Sequence, residues 1–339
     1  MQKRSLFALI AATLVFAAAA IYALASGDRA VSPEARPQLA FPDLAAHLGD
    51  LAWMRMSHGG MKADFNLIAG HWAVVEKGNY PAAAGKVRQL LLGLADLTLI
   101  EPKTARPELF ARLDLDDPSG GRSTLIALQD RTGKSAAEVI VGKIRHDRLG
   151  GGTDGVYVRR PGDAHAWLAR GSFHLPQNLL GWLDRRILDI PATQIMAVTL
   201  KAADGAVLSL RRDDAGHRFT VAEMPADAKL KPDVVAAPAA ALAALDLDDV
   251  KPAAALPVPS ENVATAAFTT FDGLTVTARL FSLGKVDWVA LRASSDEAAE
   301  AAAAALNARL GRWVYAIPAA RAQLLRTTLG DLLAPAGGS

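Results

Sequence analysis

The longest apolar pattern lies at the start of the chain. Between Ser5 and Gly27 no residue is charged, and Leu6–Ala25 is apolar almost throughout. A helix of that length rises about 30 Å, the thickness of a bilayer hydrocarbon core. The run has no polar face, which argues against a helix packed on a soluble core. Lys3 and Arg4 precede it and Asp28-Arg29 closes it, so the positive-inside rule holds the N-terminus in the cytoplasm and sends the rest across. Ala23-Leu24-Ala25 before Ser26 also fits a signal-peptide cleavage pattern, with Lys3-Arg4 as its n-region. The run exceeds the usual h-region of about 7–15 residues, so residues 1–27 are expected to form one uncleaved transmembrane anchor. Both readings place the body outside the cytoplasm. Residues 28–48 read as a linker, with Pro33 and Pro37 stiffening Asp28–Leu39.

Beyond the linker the pattern changes to short alternating runs separated by Gly-containing turns, and the series occurs twice. Leu51–Ser57, Asp64–Ala69 and Trp72–Glu76 form one set of strand-like runs; Met196–Lys201, Val207–Arg212 and Phe219–Glu223 form the other. Gly70-His71 and Gly216-His217 precede the third run of each set. Tyr80-Pro81-Ala82 and Met224-Pro225-Ala226 follow it. Helical stretches come next, Lys86–Leu94 and Pro232–Leu245. Both sets then reach one acidic phrase, Leu113-Asp114-Leu115-Asp116-Asp117 and Leu245-Asp246-Leu247-Asp248-Asp249, the first after an extra stretch, Thr98–Arg112.

The later halves also correspond. Ser123–Gln129 and Ala264–Phe271 read as strands, and Glu138–Lys143 resembles Arg279–Lys285. Ala166-Trp167-Leu168 matches Arg312-Trp313-Val314, each leading to a Pro and an amphipathic helix ending near Leu183 or Leu329. Ser294 with Glu297 reads as a capping box opening an Ala-rich helix to Leu310. The expected architecture is α+β: two tandem related units, residues 49–190 and 191–339, with antiparallel sheets and packed helices.

Composition narrows the function. Hydrophobic residues make up 51% and charged residues 21% of the 339, which supports a packed core and argues against wholesale disorder. The net charge of +2 is spread without a basic stripe, so no nucleic-acid partner is expected. There is no cysteine, which excludes disulfides, thiolate nucleophiles and Cys-based metal sites.

Trp72, Tyr80-Pro81-Ala82, Val87–Leu94, Leu113-Asp114 and Val139–Gly142, with Asn307–Pro318 in the second half, together resemble the bacterial family known as domain of unknown function 4340. Pro81-Ala82-Ala83 stands where that family has a Pro-Ala-Asp turn, so a carboxylate is missing. The resemblance implies membrane attachment and association with ABC-type transport or gliding-type envelope systems. It supplies no catalytic residues.

Each motif with possible chemistry has a plainer reading. Gly150–Gly155 fits G-x-G-x-x-G, but the strand-like Val156–Arg159 follows where a dinucleotide site needs a helix. Thr132-Gly133-Lys134-Ser135 resembles a P-loop ending, yet Leu128 stands where the first glycine belongs. Ser282 and Lys285 have S-x-x-K spacing at a strand end rather than on a helix. The acidic phrases could share a hard cation, but no further loop ligands follow; solvated turn carboxylates are expected. His71 and His217 mark a shared turn. Trp72, Trp167 and Trp313 are expected in the core.

No catalytic, cofactor-binding or metal-binding residue is therefore assigned, and no cofactor. The expected protein is a non-enzymatic accessory or scaffold of an ABC-type transport or envelope complex, held in the inner membrane by Leu6–Ala25 with its body periplasmic. The alternatives are a periplasmic module that binds a small ligand or glycan and an envelope hydrolase.

Overall fold

The computed structural model describes residues 37–119, 121–146, 154–222, 224 and 228–334. Leu6–Ala25 and the linker as far as Arg36 lie outside these. Among the described residues no helix is long and apolar enough to cross a membrane. The described chain is sheet-rich α+β, with mostly antiparallel strands and a few short helices.

Strand β1 (Gln38–Leu39) lies in the stretch read as linker, and the first repeat runs through β2 (Leu51–His58), β3 (Met61–Ile68), β4 (His71–Val74), β5 (Tyr80–Pro81), helix α1 (Ala84–Ala95), β6 (Thr98–Thr104), β7 (Thr124–Asp130), β8 (Ser135–Arg145), β9 (Gly155–Arg159) and β10 (Ala166–Arg170). A short strand, β11 (Arg186–Leu188), precedes the second repeat. That repeat contains β12 (Ile195–Lys201), β13 (Val207–Arg211), β14 (Thr220–Val221), β15 (Leu245–Asp246), β16 (Asp249–Pro252), β17 (Ala264–Thr270), β18 (Leu274–Leu283), β19 (Val286–Ser295), α2 (Glu300–Leu310), β20 (Trp313–Ile317), α3 (Ala319–Leu325) and α4 (Leu329–Leu332).

The two larger sheets share one strand order. One sheet runs β6-β10-β9-β8-β7-β2-β3-β4, with β1 and β5 added at its ends. The other, reversed, runs β16-β20-β19-β18-β17-β12-β13-β14. The two match position for position, and β11 pairs separately with β15. The acidic phrases do not correspond. The first follows β6 at the end of a 3-10 turn, Pro107–Leu113, whereas the second forms β15 and enters β16, the counterpart of β6.

Compactness divides the chain differently from the repeat. Of the described residues, one compact unit gathers those up to Leu51, Met56–Gly60 and Leu90–His174; the other gathers Ala52–Arg55, Met61–Gln89 and those from Leu175 onward.

In the first unit, Phe110, Leu115, Ile140, Tyr157, Ala166 and Leu168 form a core cluster. Gly142 on β8 passes so close to the acidic phrase that a Cβ there would lie 2.2 Å from the Leu113 carbonyl oxygen. The outer strand β6 is broken as a template. Its pairing with β10 skips Ile100 and Lys103, Pro102 has no N–H, and β1 covers only Thr98 and Leu99. Bulges, proline and charged side chains are the usual protection of an edge strand.

In the second unit β17 shows the alternation that sequence reading relies on, with residues from Ala264 to Thr270 buried at every second position. Phe281, Trp288, Val314 and Ala316 form one cluster. The β4–β5 segment is built into the same unit. The Tyr80 ring meets Trp313 edge-on at 5.0 Å and Tyr315 at 6.3 Å. Its hydroxyl donates to the Asp184 carbonyl, and burial pushes its pKa well above the ordinary phenol value. Gly78, at φ 68°, lies where a Cβ would meet the Pro252 ring at 2.4 Å. Lys77 reaches Asp249 at 2.5 Å. At the outer strand β16 the Val250 N–H points away from β20 and is taken by the Asp249 carboxylate at 2.7 Å. Trp182 is fully buried, edge-on to Phe65 at 5.4 Å.

Several local expectations are corrected. Helix α1 forms as expected, burying Val87, Leu90, Leu91 and Leu94 at helical spacing. Pro232–Leu245 does not form its counterpart. It folds as successive turns with a 3-10 segment at Ala237–Ala240 that contains Pro238, because proline removes an interior hydrogen bond and clashes with the preceding turn. The helix expected before Leu183 is a 3-10 turn, Leu179–Trp182, capped by Asn178. The Ala-rich helix α2 forms, but Ser294 stays in β19; Asp296 instead caps the 3-10 turn Glu297–Ala299 that leads into α2, accepting from the Ala298 N–H at 3.2 Å.

Two substitutions test this packing. The Trp182 indole N–H has no partner among the described residues, so Trp182→Phe should cost under about 1.5 kcal/mol, while Trp182→Ala should cost about 3–5 kcal/mol in urea denaturation. Gly142→Ala, which forces a Cβ onto a backbone carbonyl, should cost about 1–3 kcal/mol by the same measurement.

Candidate functional site

The motifs singled out by sequence are taken up by local structure. The Thr132-Gly133-Lys134 segment is the β7–β8 turn, with Gly133 at φ 83°. The Asp130 carboxylate accepts from the Thr132 N–H at 2.8 Å, the Thr132 hydroxyl at 2.6 Å and the Lys134 N–H at 3.0 Å. The backbone donors that a phosphate would need are thus filled by the chain's own carboxylate. The Thr132 hydroxyl is the leading cause that lowers the Asp130 pKa. Gly150–Thr153 lies outside the described residues, and Gly155 opens β9, a strand.

Ser282 and Lys285 flank the tight β18–β19 turn. The Ser282 hydroxyl donates to Asp287 at 2.8 Å and accepts from the Arg326 guanidinium at 2.9 Å. Arg326 also donates to Asp287 at 2.8 Å. That hydrogen bond is the main reason the Asp287 carboxyl sits below its ordinary pKa. The serine belongs to an ion-pair network and not to a serine–lysine pair.

The acidic phrases are largely paired internally, although one buried oxygen of Asp116 has no hydrogen-bond partner among the described residues. In the second, Asp246 meets Arg186 at 2.5 Å, Asp248 meets Arg185 at 3.6 Å and Asp249 meets Lys77. In the first, Asp114 faces Arg122 at 3.1 Å and Asp117 accepts from the Ser119 N–H at 2.8 Å. Among the described residues no group of three or more His, Asp or Glu side chains is arranged to hold a metal ion. His71 and His217 are exposed beside hairpin turns. Trp313 is buried as expected, whereas Trp72 and Trp167 are half-buried on sheet faces.

Among the described residues, concavities occur in both compact units. In the first unit a cleft of about 660 Å³ is bordered by His47, Asp50, Asp130, Lys134, Glu138 and Arg160. Its polar groups are largely committed: His47 to Asp50 at 3.0 Å, Asp130 to its turn, and Arg160 to the Ala40 carbonyl and the Phe41 ring. In the second unit a cavity of about 250 Å³ has Leu200, Leu208, Ala264, Leu280, Leu325 and Leu329 among its wall residues. Asn262, Arg326 and Thr328 stand among its polar lining. No spacing in the sequence foretold this second site, because its wall joins β12, β13, β17 and β18 to the C-terminal helices.

The model of the family described as domain of unknown function (DUF4340) matches residues 72–268. The chain belongs to that family. The match begins at Trp72 and takes in the Tyr80-Pro81-Ala82 turn, whose role here is packing. Neither a curated protein nor a solved structure matches the chain.

The pH response of the Asp287 pair is predictable in sign. Its folded-state pKa is lowered, so its contribution is complete above the ordinary carboxylate pKa and is lost as pH falls through the lowered value. The urea midpoint should therefore drop as pH falls below about 4. Asp287→Asn should cost about 1 kcal/mol at pH 7, allowing for solvent screening of the half-exposed Arg326, and should reduce that acid dependence.

Proposed function

We propose that this protein is an accessory or scaffold subunit of an ABC-type transport or envelope complex, tethered to the inner membrane by Leu6–Ala25 with its body on the periplasmic side. The observation that carries the reading is how the polar groups are used. Among the described residues each carboxylate with a displaced pKa is shifted downward, and each is tied to a turn or an ion pair: Asp64 to Arg55 and Lys62, Asp117 to Ser119, Asp130 to Thr132, Asp287 to Arg326 and Asp331 to Thr328. For Asp64 burial alone would raise the pKa, and the two cations outweigh it. A general acid working near neutral pH needs the opposite displacement. These groups stiffen a body whose surface, in this reading, is its working part. The uncharged apolar run after Lys3-Arg4 supports the tether, and the family resemblance supports membrane partners.

Affinity capture of the full-length protein from detergent-solubilised membranes should recover ABC-type transporter subunits, and recovery of none would sink the scaffold reading. In a separate measurement, the intact protein should stay with the membrane pellet through alkaline carbonate washing. A version lacking residues 1–27, exported by a cleavable signal, should appear in the soluble periplasmic fraction.

A further inference from the structure

The 250 Å³ cavity of the second unit is not needed by the scaffold reading, and its chemistry is selective. Its lining includes leucine, valine and alanine but no aromatic side chain, so it offers no ring face for an aromatic or sugar ligand to stack on. No carboxylate lines it, which disfavours a cation. Leu200, Leu208, Leu280 and Leu325 present an apolar floor, and Val207 at the mouth remains 51% exposed.

The polar groups at the mouth are donors with spare capacity. One terminal nitrogen of Arg326 serves Ser282 and Asp287. Its Nε–H and other terminal nitrogen have no acceptor among the described residues, and neither does the Asn262 amide. Asn262 is held at φ 56° in the loop leading to β17. The Thr328 hydroxyl is already bound to Asp331 at 2.8 Å. The arrangement is an aliphatic slot with a guanidinium and an amide at its entrance, suited to a ligand that is apolar along its length and anionic at one end.

We propose that this cavity binds a straight-chain carboxylate, with the acyl chain lying against Leu208, Leu280 and Leu325 and the carboxylate meeting Arg326 and Asn262. An apolar cavity of about 150 Å³ accommodates benzene, so this one takes a chain of about ten carbons. Ala206, in the exposed β12–β13 turn, forms part of the cavity wall, and a larger side chain there closes it without entering the core. The site does not depend on a transporter partner, and its test is read on peptides of the body alone.

Full-length protein in lipid nanodiscs is irradiated with decanoic acid carrying a terminal diazirine, then digested and mapped by mass spectrometry. Label should concentrate on Leu200–Leu208 and Leu325–Leu329. Unlabelled decanoate should displace it at concentrations at least about tenfold lower than decan-1-ol, as expected when an alcohol cannot satisfy the guanidinium. Ala206→Trp should reduce labelling about tenfold with an unchanged urea midpoint. Label spread over other exposed apolar residues such as Leu92 and Phe271, or unaffected by Ala206→Trp, overturns the site. Equal displacement by decanoate and decan-1-ol overturns the carboxylate assignment.

Discussion

The close approach at Gly78 and Tyr80 is the constraint around which the second compact unit is assembled. Gly78 can lie against Pro252 only because it has no Cβ and can hold a positive φ. That approach sets Tyr80 edge-on to Trp313 and within reach of Tyr315, while its hydroxyl satisfies the Asp184 carbonyl. The Asp184 N–H in turn donates to Pro81, and the Ala83 N–H to Trp182. An aromatic ring, a proline and a short polar ladder thus bind β5 to the segment that precedes β11. The Tyr-Pro-Ala turn shared with the family is in this light a packing element. Its missing carboxylate leaves no gap in the hydrogen bonding of the described turn.

Duplication and compactness record different things. Strand order is the same in the two larger sheets, while the local chemistry of the two series differs. The first copy keeps a regular helix where the second has proline-interrupted turns, and the second adds α2 before its last sheet strand. The acidic phrases show how such divergence misleads. Identical residues stand after the outer strand β6 in one copy and before the outer strand β16 in the other, and they hold different partners.

Much of the sheet was legible in the sequence because alternation is a local signal. Ala264–Thr270 alternates buried and half-buried positions along its whole length, as an antiparallel strand with one packed face must. Turns were legible for the same reason, since glycine at positive φ marks them. Helix ends were less so. Alanine-rich sequence suggested a helix at Pro232–Leu245, but Pro238 interrupts it; Ser294 resembled a cap, but its backbone was claimed by Thr275 across the ladder. Nothing in the neighbourhood of Trp182 announced that it would be wholly buried, and the cavity was illegible because its lining residues span Leu200 to Leu329. Sites assembled from distant strands leave no spacing to read.

The broken edge of β6 and the self-capped edge of β16 bear on how this protein can be recognised. A sheet with free outer amides can be joined by almost any extended chain, since main-chain pairing ignores sequence. Here the bulged, proline-bearing strand and the Asp249 carboxylate withhold that invitation at both places. At these two edges an associate would have to read side chains rather than main chain, so its fit can be tuned one substitution at a time. Selectivity of that kind is also a safeguard against indiscriminate polymerisation.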